Sequence, residues 1–371
     1  MSTRALFVVA AAAVLLAGLA LYGHNRSATS GGPGGGSLFL PGLQAELDDV
    51  DQVQIQKAGR EVVATLKRGD KGWVVDEKGG YPADVAKIGK ALLDLAQAKV
   101  VEQKTSDPDY YDRLGVEPIT EDTASGTAVS VSGPENPPAA IILGGTEGDY
   151  RYARLADQPR SYLLDKNPEV PRETPDWLDP EILDVPGNRV QQVTIRHDDG
   201  EILTISKEDA AQKNFAVADV PDGRELLYPG VADVIGNSLR ELKLEDVAAK
   251  GDADDAPHVT TRFRTFDGLV VTAKGYDRDD GSWLSFAASV DPDRLPKDAD
   301  PNAGNGDSEP AKAEPDTAAS DTTTAADIRD EADKINARVA GWLYQIPSYQ
   351  YDQMTRQMAD LLKADKAKSA D

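Results

Sequence analysis

The 371 residues contain no cysteine, which excludes disulfides, thiolate metal sites and cysteine nucleophiles. Histidine is nearly as scarce: only His24, His197 and His258 could supply imidazole, and His24 borders an apolar run. A three-histidine zinc site would need all of them, so none is expected. Positive charge is also short, with 40 Lys and Arg against 64 Asp and Glu, for a formal net charge of −24. Such a surface repels phosphate backbones, and nucleic-acid binding is not expected. Long hydrophobic runs are missing with one exception.

That exception is "ALFVVAAAAVLLAGLALY", residues 5–22, uncharged and about as long as a helix that crosses the hydrocarbon core. We expect an uncleaved membrane anchor over residues 1–26. The alternatives are a cleaved signal, for which Gly18 and Ala20 are suitably small, and a buried core helix. Arg4 and the terminal amine put the short side in the cytoplasm and the bulk of the chain outside it. "SATSGGPGGGS" at 27–37 opens a flexible linker, assigned to 27–47, of which this stretch alone has a root-mean-square reach of roughly 20 Å.

The rest of the chain says similar things twice. At an offset of 140, Val50, Gln52, Val53 and Ile55 pair with Val190, Gln192, Val193 and Ile195, an alternating strand pattern in both. Further on, "PADVAKIGKALLDLAQAKV" at 82–100 aligns without gaps on "PGVADVIGNSLRELKLEDV" at 229–247. Six of nineteen positions are identical, and Ile88, Leu92 and Leu95 share one helical face with their counterparts Ile235, Leu239 and Leu242. The prolines suit a helix's first turn. Each segment also has an aromatic-led third strand, at Trp73 and Phe215, and further strands after the helix. The expected fold is α+β: two tandem copies of an antiparallel sheet with a helix on one face, at 48–186 and 187–290, after an N-terminal transmembrane helix. Residues 291–326, rich in Asp, Pro, Ala and Thr, read as a disordered acidic insertion. Residues 327–371 read as C-terminal helices on the second copy, one with a stripe of Ile328, Ile335, Val339, Trp342 and Ile346 ended by Pro347.

Tests for chemistry are negative. "LGGTEG" before Tyr150 precedes a strand, so it reads as a hairpin turn and no phosphate loop. "DADPNAGNGDSE" at 298–309 resembles a calcium loop but has Ala303 where the sharp turn needs glycine. His197 with Asp198 and Asp199 reads as a solvated turn, as do Asp279 and Asp280. No nucleophile elbow, zincin or Walker motif occurs. No catalytic, cofactor or metal residue is assigned, and no cofactor is expected.

The phrases "GWVV" at Trp73, "LLDLAQAKVV", "YDRLGVEP" with Leu114, Gly115 and Pro118, "YRYARLADQPRSYLLD", "DWLDPEILDV" and "AGWLYQIPSY" resemble a bacterial family known as domain of unknown function 4340. The resemblance covers most of residues 48–350, and the acidic insertion departs from it. It implies a single-pass inner-membrane protein with its bulk in the periplasm, encoded beside an ABC-type exporter ATPase, its permease and a gliding-motility-like auxiliary protein. These are the implied partners, and no catalytic residues come with the family. The function expected is therefore a non-catalytic accessory or scaffold subunit of an ABC-type transport system. The alternatives are a binding module for an envelope polymer or small ligand, using aromatics such as Trp73, Tyr150, Tyr152 and Trp283, and a carboxylate-based hydrolase.

Overall fold

A computed structural model describes residues 36–251, 256–296 and 323–364. The expected anchor at 1–26, the first part of the linker, the calcium-like loop and most of the acidic insertion lie outside the described residues. Among the described residues no helix is long and apolar enough to cross a membrane. The architecture is mixed α and β, with mostly antiparallel sheets and few helices. The chain divides into two compact units between Asp179 and Pro180, ahead of the expected boundary at 186.

The first unit contains β1 (Gln52–Lys57), β2 (Glu61–Gly69), β3 (Gly72–Val75), β4 (Tyr81–Pro82), α1 (Val85–Gln97), β5 (Val100–Gln103), β6 (Thr127–Ser132), β7 (Ile141–Glu147), β8 (Tyr150–Leu155) and β9 (Ser161–Leu164). They form one nine-stranded sheet, β4-β3-β2-β1-β6-β7-β8-β9-β5. β1 runs between its hairpin partner and a distant strand, with Ile55 opposite both Ala64 and Val129. Its alternation buries Val53 and Ile55 on the face that α1 covers with Ile88, Leu92 and Leu95. Each such side chain contributes about 1.5–3 kcal/mol of burial. Asp84 caps α1 by accepting from the Lys87 amide at 2.9 Å. Pro82, expected in the first turn, instead lies in β4 opposite Val74.

The linker ends earlier than expected. Phe39, Leu40 and Leu43 are buried, and the 36–39 segment lies along β5, with Val100 exchanging backbone bonds with Gly36 and Ser37. Apolar side chains within "SLFLPGL" have a core to enter, and the flexible composition stops short of them.

The second unit contains β10 (Glu181–Leu183), β11 (Val190–His197), β12 (Ile202–Ser206), β13 (Ala216–Val217), α2 (Asp233–Gly236), β14 (Leu242–Lys243), β15 (Asp246–Ala249), β16 (Val259–Thr265), β17 (Leu269–Arg278), β18 (Gly281–Val290), α3 (Ala325–Val339), β19 (Trp342–Gln345) and α4 (Ser348–Met354). Its eight-stranded sheet has the order β13-β12-β11-β16-β17-β18-β19-β15. Position by position this repeats β3-β2-β1-β6-β7-β8-β9-β5 of the first unit. Outward of β9 lies β5, which comes directly after α1, and outward of β19 lies β15, which follows α2 after the short β14 that pairs with β10.

Two expectations change here. The helix at 229–247 shrinks to the single turn α2, although Ile235, Leu239 and Leu242 remain fully buried. Gly236, Asn237 and Ser238 are weak helix formers, and Glu241 takes a left-handed φ of 47°. The apparent helix running through Trp342 ends at Val339. Gly341, at a φ of 83°, turns the chain so that Trp342 to Gln345 become β19 inside the sheet. The segment expected to be only helices thus completes the second sheet. The acidic insertion is also shorter than 291–326 at both ends. Asp291 donates its amide to the Gly268 carbonyl, and Thr324 caps α3. Arg189 at the start of β11 seats α3 by a two-pronged pairing with Glu331 at 2.8 Å, and it also meets Asp267.

In the first unit the long connection 104–126 covers the sheet face opposite α1. Tyr111 and Val116 pack on Ile142, and Gly144 lies so close beneath that a Cβ there would stand 2.1 Å from the Leu114 carbonyl. Arg154, only 4% exposed, fastens this roof by donating to the carbonyls of Val116, Leu155, Ala156 and Gln158. Arg154→Met would keep the stem and strand these carbonyls. We expect a loss of about 3 kcal/mol in urea unfolding, with faster amide exchange at Val116 and Gly145. Unchanged exchange at both would remove the fastening role.

Candidate functional site

Two places gather the side chains able to do chemistry. In the second unit, His258 precedes β16 and faces Asp277 at the end of β17, with Nδ1 3.5 Å from the carboxylate. On the other side of the ring, Nε2 is hydrogen-bonded to the Tyr351 hydroxyl of α4 at 2.9 Å. The Ser282 hydroxyl completes the group, 3.1 Å from Asp277. On paper this is an acid, a base and two hydroxyls.

Its geometry serves another purpose. Tyr351 lies on the C-terminal segment, and the neighbouring polar groups all hold that segment down. His197 Nε2 donates to the Arg356 carbonyl at 3.2 Å, Thr261 donates to the Met354 carbonyl, and Glu201 accepts from the Met358 amide at 2.6 Å. Lys363 donates to Glu225 twice, its amide to the Glu225 carbonyl and its ammonium to the Glu225 carboxylate. Burial raises the Tyr351 hydroxyl above its ordinary 10.0, the reverse of what a nucleophile needs. Both described histidines thus act as fasteners, and His197 is part of β11 rather than a solvated turn.

The second place is a polar cleft of about 500 Å³ in the first unit, beside α1 and the 167–176 segment. Lys87 and Lys90 line it, but Lys90 pairs with Asp94 at 2.9 Å and Lys87 bonds the Asp176 carbonyl with Asp84 3.7 Å away. Arg151 reaches it from β8, bonding Asn167 at 3.2 Å, while its Nε is buried without a partner. Burial, and then the neighbouring Arg172 cation, lower the Arg151 guanidinium from its usual value. With Glu169 and Asp176 also at the rim, the cleft is close to electrically balanced.

The other residues noted in the sequence fall in structural roles. Trp73 and Trp283 are core, at 7% and 2% exposure. Tyr152 is bonded to Glu147, and only Tyr150 of that aromatic set is well exposed. No groove lined by these four exists among the described residues. The glycines after Leu143 belong to a hairpin, and Asp280 accepts from the Trp283 indole at 2.9 Å. No His, Asp and Glu cluster suited to a metal occurs among the described residues. Sequence reading missed Arg154 and Tyr351, because strand alternation in "YRYARL" does not tell a solvated arginine from a buried one.

A family model described as domain of unknown function (DUF4340) matches residues 73–261, from Trp73 in β3 to Thr261 in β16. The chain belongs to this family. No curated protein and no solved structure matches it. The matched span takes in the roof, Arg154, the cleft and His197, but ends before Asp277 and Tyr351.

The raised Tyr351 value fixes a sign. Its contribution is whole below the unfolded value and is lost as the pH climbs through the folded one. Residues 347–364 should stay docked at neutral pH and open above pH 10.0. Tyr351→Phe should weaken docking by about 1 kcal/mol and erase the alkaline step in amide exchange. An alkaline step of the same size in the variant would assign it elsewhere.

Proposed function

We propose that the protein is a membrane-anchored periplasmic accessory subunit of an ABC-type transport system, a scaffold that works through protein contacts and carries out no reaction. The observation that carries this reading is the shared strand order of the two units. We infer that they are copies of one domain. Of the six positions that match between 82–100 and 229–247, Ile88, Leu92, Leu95 and Val100 are buried like Ile235, Leu239, Leu242 and Val247. What the copies share is core and ladder. The groups able to do chemistry are unlike between them and are spent on fastening: Arg154 on the roof, Arg189 on α3, His258 and His197 on the C-terminal segment.

The apolar run at 5–22 supports tethering. Because the buried residues begin at Phe39, the spacer between that run and the first sheet is short, which would keep the first unit close to the bilayer.

Gentle detergent extraction of the tagged full-length chain from a bacterium that encodes it, followed by quantitative mass spectrometry, tests the reading. A permease, its ATPase and the auxiliary protein should be enriched over a mock purification. Recovery of none of them under conditions that keep other membrane complexes intact would overturn it.

A further inference from the structure

The two sheets differ most on the face turned away from their helices. In the second unit the outward positions of β12, β11, β16, β17 and β18 form three cross-strand rows: Ser206, Gln192, Arg264, Val270 and Ser289; Thr204, Thr194, Arg262, Thr272 and Ala287; Ile202, Arg196, Thr260, Lys274 and Ser285. They contain four cations and no carboxylate, in a chain of net charge −24. Arg196, Arg262 and Lys274 are exposed. Arg264 reaches only Gln192, at 3.3 Å, and its Nε is buried without a partner. No ion pair engages any of the four among the described residues.

The fold does not require this charge. The same ladder positions of the first unit hold Gln56 where the second has Arg196, Ser130 where it has Arg262, and Ser132 where it has Arg264. Lys274 corresponds to Ile142, which the first unit hides under Tyr111 and Val116. The first unit's face has its cations at other positions, Lys67 and Arg154, and is roofed over β7, whereas the second exposes Arg196, Arg262 and Lys274, with Val270 and Ser285 buried among them.

We infer that this face of the second unit docks a carboxylate-rich, extended polypeptide segment of a partner protein, a contact surface that rests on the scaffold reading above. Arginine forks match carboxylates in two-pronged geometry, and the threonine and serine rows offer hydroxyls between them. A narrow segment could meet the four cations alone. A membrane surface or a long polyphosphate would also meet the acidic remainder of the chain, which repels it.

The test uses a fluorescent peptide of alternating Glu and Ser, titrated by anisotropy against the full-length chain in detergent at low salt. Wild type should bind, and more weakly as salt rises. Arg196→Glu with Arg262→Glu and Lys274→Glu, all at exposed sites, should weaken binding by about tenfold or more, and the matching Gln triple by less. Arg151→Gln in the first unit should leave it unchanged. Absence of binding by wild type, equal binding by the charge-reversed triple, or tighter binding of inorganic polyphosphate of equal charge would each overturn the inference. The purification described above separates the two claims. Transport partners that stay with the charge-reversed triple would discard the face and leave the scaffold reading. A peptide that discriminates the variants while wild type recovers no transport partner would discard the scaffold reading and leave the face.

Discussion

Everything in each unit depends on one pairing, that of the opening strand with a strand far along the chain. β1 meets β6 through Ile55 and Val129, and β11 meets β16 through Ile195 and Thr261. The hairpin on the other side is local and inexpensive to close, whereas the distant pairing must close the whole intervening segment, helix included. Once made, it sets the face of every later side chain, because a one-residue slip would turn Val53 and Ile55, or Val193 and Ile195, toward water. The edge strands β5 and β15 follow from the same closure, since each must leave the helical segment and return beside the last hairpin.

This dependence explains what could be read from the sequence. Alternation at 50–55 and 190–195 and the buried positions shared by 82–100 and 229–247 report the closure directly, and there the two opening strands and the first helix stand as expected. The second helix failed because the apolar spacing survives in Ile235, Leu239 and Leu242 while Gly236, Asn237 and Ser238 are weak helix formers and Glu241 turns the chain at a left-handed φ. Burial is conserved between the segments and backbone form is not. β19 was misread for a related reason: Trp342 and Ile346 continue a helical spacing, and the one residue that breaks it is Gly341. No spacing rule would have placed Trp342 to Gln345 between β18 and β15, because the strands that receive them lie before the acidic insertion. The fastening roles of Arg154, His258 and Tyr351 were illegible because each depends on partners distant in the chain.

The two units differ in what is not ladder or core. The turn from β8 to β9 in the first unit is a few residues that Arg154 helps to bind; its counterpart from β18 to β19 holds both the acidic insertion and α3. The insertion can sit there because β19 is still delivered to its place by Arg189 on α3 and by Asn336, which exchanges two 2.8 Å bonds with the backbone of Ala288. Those side-chain bonds extend β18 beyond the reach of β19. The roof at 104–126 is the reverse case, a long connection in the first unit answered by a short one between β15 and β16 in the second.

The charge balance follows the same division. The carboxylates exceed the cations by twenty-four, yet the fifteen outward positions on β12, β11, β16, β17 and β18 hold none. A surface position in a soluble sheet needs only to be polar, and Gln56, Ser130 and Ser132 show that neutral residues suffice in this ladder. Random placement of an acidic composition would put carboxylates among fifteen outward positions before it put there four cations with no ion pair among the described residues. Arg262 stands diagonal to Arg196 and to Lys274 on the neighbouring strands, and like charges there repel across roughly 7–8 Å. The cationic face therefore runs against the composition of the chain and bears its own self-repulsion, with Arg196, Arg262 and Lys274 exposed on β11, β16 and β17.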